Sequence, residues 1–379
     1  MLQRLYVHNF RCLENFELTL KEMPSALLIG KNGVGKSAIR SALEVLQSIG
    51  RGINRVKELV RPKDLAWGRS ELPMRFEIEV LLDNKLYQYI VAFELPESFK
   101  ELRIFEEEFI VAGEQIYSRK EAQVTLNKTG KYGYPTSSEN SEAQFLVDWH
   151  LVALPLIQQR SQTDPIHIFK TWLARTIILA PIPSLMTGDS SEETLEPKQD
   201  GSNFGDWLSG LLSRYPAAYN QVYRYLREVL PDIKDFFNEV IGKDAKNTMV
   251  RFKKNSASLS VSFEDLSDGE KCFFLGAVVL AANEFYGPLF CFWDEPDNHL
   301  SLSEVGHFVL SLRRSFKNEN GGQFLTTSHN PEAIRKFSDE NTFVLDRKSH
   351  LEPTIVRQLK ELSLSGNLIN TLICGDIEL

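Results

Sequence analysis

The chain has 379 residues, with 43 basic and 51 acidic side chains and a formal net charge of −8. This length suits a main domain carrying an inserted subdomain. Its apolar share of 42% is enough for a sizeable core, and the acidic balance argues against a protein that coats nucleic acid through bulk charge, though not against a local basic surface.

No apolar run is long enough to cross a membrane as a helix. The four cysteines, Cys12, Cys272, Cys291 and Cys374, form no C-x-x-C pair, and they read as reduced thiols of a cytoplasmic protein. Residues 2–7 and 15–20 alternate apolar and polar side chains, which predicts two hairpin strands joined through Asn9-Phe10-Arg11-Cys12. Residues 25–29 form a short apolar strand, and residues 38–46 carry helical spacing that fades near Gly50. Between them, Gly30-Lys31-Asn32-Gly33-Val34-Gly35-Lys36-Ser37 fits the pattern G-x-x-x-x-G-K-[ST] in the strand–loop–helix context that makes it a physical site. Its glycines let the backbone curl until successive N–H groups point at phosphate oxygens, and the helix N-terminus adds its dipole. The cradle then comprises Asn32, Gly33, Val34, Gly35, Lys36, Ser37 and Ala38. Lys36 would reach the β- and γ-phosphates of ATP, and the Ser37 hydroxyl would ligate Mg²⁺.

Residues 56–69 are mixed, reading as loop with a short helix. Residues 74–95, 105–111 and 123–126 are strand-like, with Phe76, Ile78 and Val80 on one face and a turn at Asn84, and together predict an antiparallel β meander. Residues 127–141 read as an exposed connection. Residues 145–173 read as mostly helical despite Pro155 and Pro165, 175–180 as a short buried strand, 187–201 as a mobile loop, 204–240 as helices broken near Pro216 and Pro231, and 250–263 as a hairpin. The domain expectation is an N-terminal lobe over 1–126, a mainly helical insertion over 127–249 and a C-terminal lobe over 250–379.

Three further motifs follow. Leu266-Ser267-Asp268-Gly269-Glu270 precedes an apolar helix, so its N–H groups and the Ser267 hydroxyl suit a phosphate, although the same residues also make an ordinary helix cap. Residues 289–295 are an apolar strand ending in Asp294 and Glu295: the first suits the metal, and the second can polarise the water that attacks a γ-phosphate. Residues 323–329 end in His329, placed to hold that water in line. Arg11 is either a solvated turn residue or a cation at the edge of the phosphate site.

The ordered set resembles the ABC ATPases. Residues 30–37 look like Walker A, 266–270 like the signature, 289–295 like Walker B with its catalytic glutamate, and His329 like the switch histidine. Asn9-Phe10-Arg11 before the phosphate loop resembles the SMC/RecF branch. Asp294-Glu295-Pro296-Asp297-Asn298-His299-Leu300 and Thr327-Ser328-His329-Asn330-Pro331 are similar to forms in the OLD-family and related anti-phage defence ATPases. The resemblance implies an α/β fold, a P-loop ABC-type head with a mixed central sheet, an antiparallel β subdomain and a helical insertion. It further implies two heads pairing around ATP, Ser267 and Gly269 reaching the γ-phosphate in trans, and residues 298–301 near the seam. Asp268 stands where a signature glycine is usual, as happens in this branch. The Gln that senses Mg²⁺ stays open among Gln144, Gln158 and Gln159. The chain lacks the long SMC coiled coil, and only a short tail follows Arg347 where OLD proteins carry a Toprim nuclease. The leading expectation is therefore an ATPase that switches or senses in a nucleic-acid-linked complex, in bacterial anti-phage defence with a separate effector such as a nuclease or toxin. A RecF-like repair ATPase and an ATP-dependent scaffold with negligible hydrolysis are the alternatives. A transporter subunit is disfavoured by Asn9-Phe10-Arg11 and the β-rich block.

Overall fold

The structure, a computed structural model, describes residues 1–127, 142–159, 161–242, 245–317 and 322–362. Strands β1 (Leu2–His8) and β2 (Phe16–Thr19) form the expected hairpin, with Leu5 opposite Leu18 and Val7 opposite Phe16. Strand β3 (Ser25–Ile29) is buried along its whole length and feeds helix α1 (Lys36–Gly50), followed by the short α2 (Val56–Leu59). The meander consists of β4 (Met74–Leu82), β5 (Lys85–Glu94), β6 (Arg103–Val111), β7 (Glu114–Lys120), β8 (Gln123–Asn127) and β9 (Glu142–Leu146). With the first hairpin it makes an eight-stranded sheet in the order β2-β1-β4-β5-β6-β7-β8-β9. Strands β7 and β9 add to the expected set, β9 taking residues 145 and 146 that were expected to be helical, and nearly all of the expected connection over 127–141 lies outside the described residues.

The middle of the chain departs most from expectation. Residues 147–159 hold turns and no helix. Helix α3 (Pro165–Arg175) starts only where Asp164 accepts a hydrogen bond from the Ile166 N–H and Pro165 takes the first helical position. Strand β10 (Ile177–Leu179) follows, close to where a buried strand was expected. The segment 187–201, expected as a mobile loop, contains β11 (Asp189–Ser190) and is tied to helix α4 (Phe204–Arg214): the N–H groups of Ser191 and Glu192 both donate to Asp206, and that of Lys198 donates to Asn203. After α5 (Ala218–Val229), the expected helix gives way to β12 (Ile233–Ile241), paired with β13 (Ala245–Lys254), which in turn pairs with β14 (Ala257–Ser262). The expected boundary at 249/250 therefore cuts through β13, and the insertion is mixed α/β instead of mainly helical.

The C-terminal part supplies α6 (Asp268–Tyr286), β15 (Phe290–Trp293), α7 (Leu302–Lys317), β16 (Gln323–Thr327), α8 (Pro331–Ile334), β17 (Thr342–Asp346) and β18 (Ile355–Gln358). These strands join β3 and β10 in a six-stranded sheet, β10-β15-β16-β3-β17-β18, parallel except for β18. One core lies between the eight-stranded sheet, α1 and α3; the other surrounds α6, which is apolar on nearly every face and packs against α5 and α7. A parallel sheet presents all its strand C-termini at one edge, and the motifs of both chain halves meet there.

Candidate functional site

Strand β3 lies centrally in the parallel sheet, and at its C-terminal end the backbone turns through φ +83° at Gly33 and +111° at Gly35. A Cβ at Gly35 would come within 2.5 Å of the Thr354 hydroxyl, and one at Gly30 within 2.4 Å of the Leu345 carbonyl, so only glycine fits at these two points. Thr354 donates to the Val34 carbonyl at 2.7 Å, and Arg347 donates to that of Gly33 at 3.5 Å. The β17–β18 hairpin thus clamps the loop, a role not foreseen for what was read as a tail. Lys36 opens α1, is 8% exposed, and donates to the Gly30 carbonyl at 2.8 Å.

Strands β15 and β16, next to β3, deliver the acids and the histidine. The Asp294 N–H donates to the Leu179 carbonyl at 2.7 Å, which fixes the turn at the strand end. Asp294 Oδ1 accepts from the Thr327 hydroxyl at 2.6 Å, and Oδ2 accepts from Arg40 Nη1 at 2.6 Å. The Thr327 oxygen in turn accepts from the Glu295 N–H at 2.9 Å. Glu295 has φ +50°, a left-handed conformation uncommon outside glycine. Its carboxylate accepts from Asn298 Nδ2 at 2.6 Å and lies 3.4 Å from His329 Nε2, which meets Lys36 Nζ at 2.6 Å. Lys36, Asp294, Glu295 and His329 are therefore brought together, as the sequence predicts.

Burial lowers the pKa of His329, and the neighbouring Lys36 lowers it further; Glu295 and Asp294 oppose the shift without reversing it. The imidazole is then neutral at pH 7, and Nε2 can accept from the Lys36 ammonium. Lys36 is itself lowered by burial against the pull of the same two acids. Asp297 is buried, accepts from the Ser328 hydroxyl at 3.0 Å through Oδ2, and leaves Oδ1 without a partner. Burial pushes its carboxyl up to about 6.

Other expected residues lie around this cluster. Ser37, Asn32 and Gly33 are exposed, whereas Val34 and Ala38 are buried supports. Arg11 bonds Ser41 at 2.7 Å and pairs with Asp64 at 3.3 Å, on the flank of α1. Ser267 and Glu270 make a reciprocal cap on α6, and a Cβ at Gly269 would lie 3.0 Å from the His299 carbonyl, so the signature packs beside residues 297–301 of its own chain. Gln144 accepts from Gln123 on the outer strands of the large sheet, Gln159 meets His167 at 2.6 Å, and Gln158 lies in the turns before α3. Sequence reasoning missed Arg40, Thr327 and the Asn298–Glu295 bond. Arg40 was findable, since it follows Lys36 by four residues and so shares its helix face.

Among the described residues no group of three or more His, Cys, Asp or Glu side chains is gathered to hold a metal. A magnesium ion carried by a nucleotide needs fewer protein ligands, because phosphate and water oxygens complete its shell. The Asp294 carboxylate fits that need, because the Arg40 guanidinium on it shows that it faces a position that accepts a cation.

An AAA ATPase domain family model matches residues 1–145. Among solved structures, the Smc head bound to the C-winged helix domain of ScpA is similar with a TM-score of 0.55 at 16% identity, covering 95% of this chain and 98% of that one. The Smc head domain from Pyrococcus furiosus with an extended coiled coil, bound to the C-terminal domain of ScpA, gives 0.52 at 13% identity over 99% and 98%. The fold is that of these Smc head domains. No curated protein matches the chain in sequence. The head fold accounts for the split site: the family match ends well before α6, and the second half closes the same sheet around β3. Among the described residues no helix is long and apolar enough to cross a membrane.

Proposed function

We propose that this chain binds ATP with Mg²⁺ and hydrolyses it, using Lys36, Ser37 and Asp294 to hold the nucleotide and its metal and Glu295 as the general base. The observation that carries this reading is the meeting of Lys36, Asp294, Glu295 and His329 at the C-terminal edge of one parallel sheet, from positions nearly three hundred residues apart. When bound, the metal neutralises phosphate charge and acts as a Lewis acid. Lys36 exchanges the Gly30 carbonyl and His329 for phosphate oxygens. His329, released and neutral, holds the attacking water, and Glu295, braced by Asn298, takes its proton. Arg11 and the loop residues Asn32 to Gly35 complete the cradle.

Ser267 and Gly269 serve a nucleotide held by a second copy. Asp268 Oδ2 lies 3.6 Å from His299 Nδ1 and Gly269 borders the His299 carbonyl, which sets the signature against the turn that follows Glu295 and supports this, and a γ-phosphate shared between two heads would couple ATP to pairing. The setting we favour is a nucleic-acid-linked switch in anti-phage defence that controls a separate effector; the OLD-like residues at 294–300 and 327–331 support it.

Glu295→Gln tests the enzymatic core. Phosphate release falls about 10²–10⁴-fold, while ATP binding persists and sedimentation shows ATP-dependent pairing. Unchanged phosphate release rejects Glu295 as the base.

A further inference from the structure

Arg40 sits one turn beyond Lys36 on α1, with its guanidinium between two acids. Nη1 donates to Asp294 Oδ2 at 2.6 Å, and Nε stands 3.5 Å from Glu44 Oε1. Both Arg40 Nε and that Glu44 oxygen are buried and lack a hydrogen-bond partner. Thr327 already occupies the other Asp294 oxygen. The carboxylate suited to a divalent ion is therefore engaged on both sides, once by a full positive charge. That charge has a second place to go, because closing the gap to Glu44 would satisfy two orphaned atoms at once.

We propose that Arg40 is a positioning residue that competes with the divalent cation for Asp294, holding the carboxylate while the metal is away and moving onto Glu44 when it arrives. This rests on the nucleotide-site reading above. Two cations on one carboxylate oxygen repel each other strongly in a partly buried site, so Arg40 and the metal exclude one another from Asp294 Oδ2. Thr327 keeps Oδ1 in place during the exchange, which preserves the orientation of the carboxylate. Arg40 then raises the metal concentration that the site requires, and Glu44 lowers it by offering the guanidinium a refuge.

Arg40 and Glu44 make opposite predictions. Mg²⁺ is titrated into the full chain with a fluorescent ADP analogue, reading nucleotide fluorescence, and Mn²⁺ replaces it for a count of bound metal by electron paramagnetic resonance. Arg40→Gln should lower the half-saturating metal concentration roughly tenfold, the loss of one charge-assisted bond, and Glu44→Gln should raise it by a similar factor. Glu44→Gln leaves Arg40 in place and carries the test by itself if Arg40→Gln fails to fold. Shifts in the same direction for both variants, or a Glu44→Gln titration that does not move, overturn the competition. A wild-type protein that binds no ADP overturns the nucleotide-site reading and the competition with it; wild-type binding with unmoved variants overturns the competition alone.

Discussion

Glu107 and Arg119 inside the eight-stranded sheet, and Lys36, Asp294, Glu295 and His329 at the edge of the parallel sheet, are both clusters of ionisable groups drawn away from water. They differ in how completely they close on themselves. Glu107 Oε1 accepts from the hydroxyls of Tyr89 at 2.9 Å and Tyr117 at 2.8 Å and from the Leu154 N–H at 2.9 Å, while Oε2 accepts from the Ala153 N–H at 2.8 Å. Arg119 lies 3.8 Å away and spends its donors on the carbonyls of Glu121, Asp148 and Leu151. Burial pushes both phenols well above the ordinary tyrosine range, so they remain donors. This cluster fastens residues 147–154 to the sheet. At the other cluster the His329 side chain is 44% exposed, Glu295 holds a left-handed backbone, Asp297 keeps an orphaned oxygen and Arg40 is shared between two acids. The Glu107 cluster is satisfied by the protein alone, whereas the Lys36 cluster keeps bonds in reserve.

The contrast breaks if the first cluster proves dispensable. Glu107→Ala should cost about 3–5 kcal/mol, because it strands two N–H groups, two phenols and a buried cation. A denaturant melt reads this, and the protein that remains folded should bind ATP as before. A loss under about 1 kcal/mol would put Glu107 with ordinary surface charges.

Asp297 sharpens the contrast with the opposite sign. Its carboxyl is raised from 3.8 to about 6, so the folded state holds the proton more tightly than the unfolded chain. That stabilisation is complete below pH 3.8 and is lost as pH rises through about 6. Asp297→Asn does not titrate, and it should stabilise the protein by about 1–2 kcal/mol at pH 7, with the gain fading toward pH 4. Melts across pH check this, and a variant equally or less stable at pH 7 would show that the buried charge is tolerated.

The smallest effect concerns His329. Its ring should titrate below 6.5 by NMR, and Lys36→Met should move it upward only in part, because burial is the larger cause. Since the unfolded chain takes the proton first, the His329 contribution to stability is lost as pH falls through 6.5 toward the lower folded value. A ring titrating at or above 6.5 would remove the neutral acceptor from the Lys36 contact.

Much of the site was legible because its motifs are local: strand, glycine loop and helix at 25–50, and apolar strands ending in acids or a histidine at 289–295 and 323–329. Long-range pairing was less legible. Ile233, Phe236, Phe237, Val240 and Ile241 recur at helical spacing, yet they form β12, because β13 offers a continuous ladder and a register shift between Ile233 and Asp235 absorbs the phase error. Val240 and Ile241 are 68% and 51% exposed, so the apparent apolar stripe never faces a single core. Residues 147–159 looked helical for want of any local sign that Glu107, some forty residues earlier, captures their N–H groups. Glu107 itself hid in the acidic run 106–108, where only the alternation of β6 turns it inward.

The central claim is that one triphosphate is gripped where the two halves of the chain meet. Its most direct test is an equilibrium titration of fluorescent ATP into wild-type protein and Lys36→Ala, with folding confirmed by melts. The account predicts saturable wild-type binding that weakens roughly 10- to 100-fold in the variant, the loss of a hydrogen-bonded charge on phosphate. Equal affinity in the two proteins would contradict it.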